Sequence, residues 1–210
     1  MKNILSALSL LFIFSCKDTS EKKQNQENLP EINSKTQTLP AKPNLETVEG
    51  IRAEYAVIQE KLKQKKLDSV SVKFECEERS GTATYFSENG ILKFLKFDSG
   101  DSHFVSVEEY YLADEKPFFI FVTETGWGFD GGTADKPETK DDITEKRFYL
   151  KNNASFECFE KKYTVFSAKK DNPKSENVPN KKLENCDVSE YIKKFENLKT
   201  KNTSKQIGCF

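Results

Sequence analysis

The pattern of apolar and polar positions changes several times along the chain. An apolar run, Ile4 to Phe14, follows Met1-Lys2-Asn3, and the sequence turns abruptly polar after Cys16. Residues 17–43 carry Lys, Glu, Gln, Asn, Ser and Thr, with Pro30, Pro40 and Pro43 and almost no large apolar side chain. Such a segment cannot bury enough surface to offset the entropy of ordering, so a tether is expected over residues 16–44. From residue 45 to 67, Val48, Ile51, Tyr55, Ile58 and Leu62 recur at spacings of three and four, which predicts an amphipathic helix. Asn44 is its expected cap. Glu46 and Glu49 suit its positive end, and Lys61, Lys63, Lys65 and Lys66 its negative end. Gly50 is a local cost to that helix.

From residue 70 to 166 the period becomes two. Strands are expected at Val70–Glu77, Thr82–Ser87, Ile91–Phe97, Phe104–Leu112, Pro117–Thr123, Thr144–Leu150 and Ala154–Phe166, the last broken by a bulge. Asn89-Gly90 is a strong hairpin signal. Asp114-Glu115-Lys116 and Asn152-Asn153 occupy equivalent places, each between an aromatic strand end and an apolar strand start. The three units begin at Tyr85, Tyr111 and Tyr149, and this unequal spacing argues against a propeller or solenoid. An antiparallel meander is expected instead, with one long loop from Glu124 to Asp142. Residues 167–185 are polar and read as a covering loop. Asp187-Val188-Ser189-Glu190 resembles a capping box, opening a short helix whose stripe is Val188, Tyr191, Ile192, Phe195 and Leu198.

Two strands are apolar on both faces. Ile91, Leu95 and Phe97 oppose Leu92 and Phe94; Phe118, Ile120 and Val122 oppose Phe119 and Phe121. A sheet with one wet face alternates apolar and polar side chains, so this sheet needs cover on both sides. The N-terminal helix can take one face. The second requires the C-terminal helix, a curled sheet, or a ligand or partner. The fold class is therefore α+β: a meander of about six or seven antiparallel strands with an N-terminal and a short C-terminal helix packed on it, forming one domain over residues 45–210.

Composition sharpens this picture. Charged residues make up 32% of the chain, yet it holds 17 Phe and 7 Tyr, more aromatic surface than a disordered chain carries. The formal net charge is −1, and loss of residues 1–15 removes only Lys2, giving −2. A balance this near zero offers no electrostatic footprint for nucleic acid. Besides Cys16 there are four cysteines, Cys76, Cys158, Cys186 and Cys209, an even number that predicts two disulfides in an exported protein. The expected pairing is Cys76–Cys158, both facing the core, and Cys186–Cys209, tying the ends of the C-terminal helix. No CxxC supports a redox or zinc-ribbon site.

Candidate chemistry is sparse. His103 is the single histidine, beside Ser99 and Ser102, without a GxSxG elbow. It reads as a surface histidine, since a triad is built by geometry between distant segments. Asp130, Asp135, Glu138, Asp141 and Asp142 offer oxygen ligands for calcium, but their spacing differs from an EF-hand loop, and no metal is expected. Gly126, Gly128, Gly131 and Gly132 form no phosphate loop, and no cofactor is expected. The same loop carries the only tryptophan. Trp127 and Phe129 are expected to pack as a lid or to touch a ligand, with Asp130 beside them. No catalytic residue is identified.

The start of the chain carries the most specific motif. A basic start, a short apolar core and a small residue before the cut have the layout of a secretory signal peptide, and the run is far short of the roughly twenty residues that span a bilayer. Ile13-Phe14-Ser15-Cys16 resembles the lipobox of bacterial lipoproteins, with Phe where that motif usually has a small or branched residue. The resemblance implies removal of residues 1–15 and lipidation of Cys16 on its sulfur and new amino terminus, an anchor of more than one acyl chain. Lys17-Asp18-Thr19-Ser20-Glu21 is similar to export signals of Bacteroidota lipoproteins, and with the Asn-Gly meander, the Gly-Trp-Gly-Phe-Asp-Gly-Gly stretch and the spaced cysteines the chain resembles lipoproteins of that group. The expectation is a non-catalytic envelope module that binds or supports a partner, held to the outer membrane by its lipid. Its alternatives are a carrier or sensor of an apolar ligand on the second sheet face, or an inhibitor of an envelope-targeting enzyme. A hydrolase using the acidic loop is the least favoured reading.

Overall fold

The structure, a computed structural model, describes residues 43–210. The signal peptide, Cys16 and the tether up to residue 42 lie outside the described residues. Seven strands run in meander order: β1 (Asp68–Cys76), β2 (Arg79–Glu88), β3 (Ile91–Gly100), β4 (Phe104–Ala113), β5 (Lys116–Thr133), β6 (Lys136–Lys151) and β7 (Ala154–Phe166). Each pairs antiparallel with the next. Two short strands extend the sheet to nine: β8 (Lys181–Lys182) lies antiparallel beside β7, and β9 (Gln206–Ile207) parallel beside β1. The count exceeds the expected six or seven because two-residue strands show no periodicity.

The turns follow from residue chemistry. Both central residues have positive φ at Asn89-Gly90, Asp114-Glu115 and Asn152-Asn153, the two-residue hairpin geometry that matches strand twist. Register shifts lie beside each of the three turns, at Phe86/Ser87, Tyr111/Leu112 and Tyr149/Leu150. They reverse two expected facings. Leu92 packs in the cluster of Leu95 and Phe97, and Phe118 in that of Phe119. The bulge expected within β7 lies there, at Phe156, which is skipped between the pairs Tyr149–Glu157 and Leu150–Ser155.

Helix α1 (Val48–Lys63) starts later than the pattern predicts. Thr47 is its cap, with Oγ1 accepting from the Gly50 amide at 3.1 Å. Asn44 instead organises the approach, its side chain accepting from Glu46 N and its carbonyl from Thr47 N. A Cβ at Gly50 would lie 1.8 Å from that Asn44 carbonyl oxygen, so the glycine is required by close approach. Helix α2 (Ser189–Leu198) forms without the expected capping box; Asp187 bonds the Ser189 amide rather than that of Glu190.

The two helices take opposite faces. Ile51 and Ile58 of α1 pack on Phe94, Tyr111, Phe118, Phe119 and Tyr149. Val188, Phe195 and Leu198 cover the other face, over Tyr85, Phe97, Tyr110, Ile120 and Phe148. There the Tyr85 hydroxyl donates to the Leu198 carbonyl at 2.9 Å. The buried Glu108 accepts from Tyr110 and from Lys194 of α2.

The disulfides are Cys76–Cys209 and Cys158–Cys186, not the expected pairing. Cys76 and Cys158 do share the α2 face, but β1 and β7 are six strand positions apart. At about 4.8 Å per step that is roughly 29 Å, far beyond disulfide reach. Each cysteine instead clips an edge of the sheet to a segment flanking α2.

Candidate functional site

The residues 124–142 expected as a loop form a β-hairpin arm, the paired ends of β5 and β6. Strand β4 pairs β5 as far as Gly126, and β7 pairs β6 as far as Lys140; beyond Phe129 and Thr139 the ladder joins only the arm's own two strands. Gly131 and Gly132 take positive φ near its tip, at a register shift between Phe129 and Gly131. Trp127 and Phe129, two residues apart on one face, meet edge to face at 5.8 Å. The Trp127 ring stacks on His103 at 4.5 Å, and its Nε1 donates to the Ser102 carbonyl at 2.7 Å. Phe129 is 67% exposed. Asp130 faces Lys140 at 3.9 Å.

Trp127, Phe129 and Asp130 therefore stand together on the arm, as an aromatic ledge. His103 joins them through its stacking contact. No Ser-His-Asp relay is assembled there: the Asp101 carboxylate accepts the backbone amides of His103 and Phe104, and the Ser99 hydroxyl accepts from Arg79. The acidic residues spread along the arm's two strands and, at Asp135, its tip; Asp142 accepts from Thr164. Among the described residues no group of three His, Cys, Asp or Glu side chains is placed to hold a metal.

A different opening lies on the α1 face. Helix α1 leaves part of β6 and β7 uncovered, and beside it is a groove of about 270 Å³. Ile51, Arg52 and Tyr55 of α1 form one wall. Phe119 and Phe121 of β5, Arg147 and Tyr149 of β6, and Phe159 of β7 form the floor, and Asn180, just ahead of β8, closes the far rim. The floor follows from register: Phe121 pairs with Arg147, and Arg147 with Phe159, so all three side chains leave the same face of adjacent strands. The rings interlock, with Tyr55 edge-on to Phe119 at 5.6 Å and Tyr149 edge-on to Phe159 at 6.0 Å.

The two arginines differ. Arg147 is fixed: its guanidinium carbon lies 4.7 Å from the Phe121 ring centroid, Nη1 donates to Asn180 Oδ1 at 2.9 Å and Nη2 to Glu145 Oε2 at 2.7 Å. Arg52 is exposed at the rim beside Tyr149, and its pKa rises above its usual value chiefly through its hydrogen bond with that residue.

Arg147 also links the groove to a buried ionic knot. Glu145 and Lys161 are 5% and 7% exposed. The Lys161 ammonium is 3.3 Å from Glu145 and donates to the Ser175 carbonyl and hydroxyl. Tyr163 and Ser175 donate to Glu145 Oε1. Burial pushes the Glu145 carboxyl up, but the hydrogen bonds from Ser175, Arg147 and Tyr163, with the Lys161 charge, hold it below its ordinary value. The knot pins the 167–185 segment to the sheet and so positions Asn180 at the rim.

The groove is absent from the sequence reading. Its signal is Arg147, an arginine in the inward frame of a strand otherwise read from its aromatics. No family model matches the chain, and no curated protein or solved structure matches it.

Proposed function

We propose that this chain is a non-catalytic binding module held at a bacterial outer membrane by a lipid on Cys16. The observation that carries the binding role is the groove: an open, aromatic-floored cleft into which a conformationally fixed guanidinium projects. Its volume falls just under the roughly 300–1,000 Å³ of most small-molecule sites, so it suits a small ligand. The second sheet face is occupied by α2, so a carrier of an apolar ligand would use the α1 face instead. The near-balanced charge supports a partner other than nucleic acid.

The anchor and the groove are tested separately. Metabolic palmitate labelling should mark the chain, and Cys16→Ser should move it from the membrane to the soluble fraction; unchanged fractionation would refute the anchor. Native mass spectrometry of protein purified from membranes should show one retained small molecule, lost in Phe121→Trp, which fills the groove. Identical spectra for the two proteins would refute the binding role.

The arm favours a second reading, inhibition of an envelope-targeting enzyme through a projecting aromatic ledge. That reading requires Phe129→Ala to abolish capture of such an enzyme while leaving the fold intact.

A further inference from the structure

We infer that the groove takes a small monocarboxylate carried on a flat apolar body of one or two rings. This inference rests on the groove being the binding site. The floor of Phe119, Phe121, Tyr149 and Phe159 presents ring faces and edges, the surface that planar apolar groups prefer. Aromatic rings alone would also accept a cation, but Arg52 and Arg147 line the same cleft and repel one.

The charges around the groove limit the ligand's valence. Around the groove stand Arg52, Arg147, Lys161 and Lys182 against Glu49, Glu109, Glu145 and Glu157, four charges of each sign. Glu145 is shared by Arg147 and Lys161, and Glu157 is held by Lys182 at 2.7 Å. Glu109 accepts from Tyr111 and lies near Tyr55. Glu49 and Glu157 both act on Arg52, so the surroundings are balanced before a ligand arrives; a single carboxylate hydrogen-bonded to a guanidinium is tolerated there, and a dianionic phosphate is opposed. Arg147 uses two of its five N–H groups on Glu145 and Asn180, so donors remain for a carboxylate. Because the stack on Phe121 and these bonds already hold its plane, little ordering entropy is lost when a carboxylate binds. Arg52, exposed on the helix, can close over the ligand from the opposite wall.

The test uses the full chain with Cys16→Ser, so that no acyl chain competes, and isothermal titration with three probes: 1-naphthoate, 1-naphthamide and 1-naphthylmethylamine. Naphthoate is expected to bind about tenfold or more tightly than the isosteric amide, and the amine weakest. Arg147→Met should erase that preference where it folds, and Arg52→Gln, at an exposed helix position, should narrow it by weakening naphthoate more than naphthamide. Equal binding of naphthoate and naphthamide would overturn the carboxylate inference while leaving the groove a binding site. If no probe binds but a molecule sensitive to Phe121→Trp is retained from membranes, the inference again fails alone. If neither occurs, the inference and the binding role fail together.

Discussion

Single residues carry several of the constraints. Gly50 reads in the sequence as a weak point of a helix, yet its missing Cβ is what lets the Asn44 carbonyl approach. Gly50→Ala should therefore destabilise the domain by about 1–3 kcal/mol despite alanine's better helix propensity. Gly128→Ala, with no atom within 4 Å of the new methyl and an ordinary φ, should stay within about 0.5 kcal/mol of the parent. Urea midpoints of the two variants check both. Glu145 gives a pH signature. Its folded pKa lies below the ordinary 4.5, so its contribution is complete above that value and is lost as pH falls through the folded pKa. Glu109 acts oppositely: burial raises its pKa, so its contribution is present at low pH and is lost as pH rises through the raised value. Glu145→Gln should lower stability at neutral pH and flatten the loss between about pH 5 and pH 3, read from denaturation curves across that range. An unaltered acid slope would show that the ionic knot does not govern it.

At the scale of elements, the helices and long strands were legible because each keeps one period for two turns or more. β3, for example, begins at Ile91 as expected and runs only three residues beyond Phe97, to Gly100. The Asn-Gly, Asp-Glu and Asn-Asn turns were legible from their position between aromatic and apolar strand ends. The arm was not, because Gly126, Gly128, Gly131, Gly132 and Pro137 interrupt the alternation and both its faces meet water, so no apolar period survives. Leu92 and Phe118 were assigned the wrong face because a register shift leaves no mark in composition. The groove escaped because it depends on which strands are neighbours and on where α1 stops covering them; only the arginine in the inward frame of β6 hinted at it. Helix α2 is the element whose docking seals the second face. Phe195, fully buried and 5.5 Å from the Tyr110 ring, should cost about 3–5 kcal/mol when changed to Ala, seen as a lower urea midpoint. Phe129→Ser on the arm should leave the midpoint unchanged, since that ring is mostly in water.

For the whole molecule, the sheet is wide, covered on both faces and clipped at both edges. Cys76–Cys209 closes 133 residues and Cys158–Cys186 closes 28. In the chain-entropy account these contribute about 5 and about 3.6 kcal/mol. Mass mapping of an unreduced digest should recover these two linkages, and Cys76→Ser with Cys209→Ser should destabilise more than the Cys158/Cys186 double variant. The edge clips lie on the α2 face, the ionic knot holds Arg147 and the 167–185 segment beside the groove on the α1 face, and the arm extends past the ends of β4 and β7. The binding role stands or falls on where a ligand lands. The most direct measurement is amide chemical-shift mapping of the full chain titrated with a small-molecule extract of the bacterial envelope. Perturbations gathered at Tyr55, Phe121, Phe159 and Asn180 are the predicted result. Perturbations confined to Trp127 and Phe129, or none at all, would contradict it.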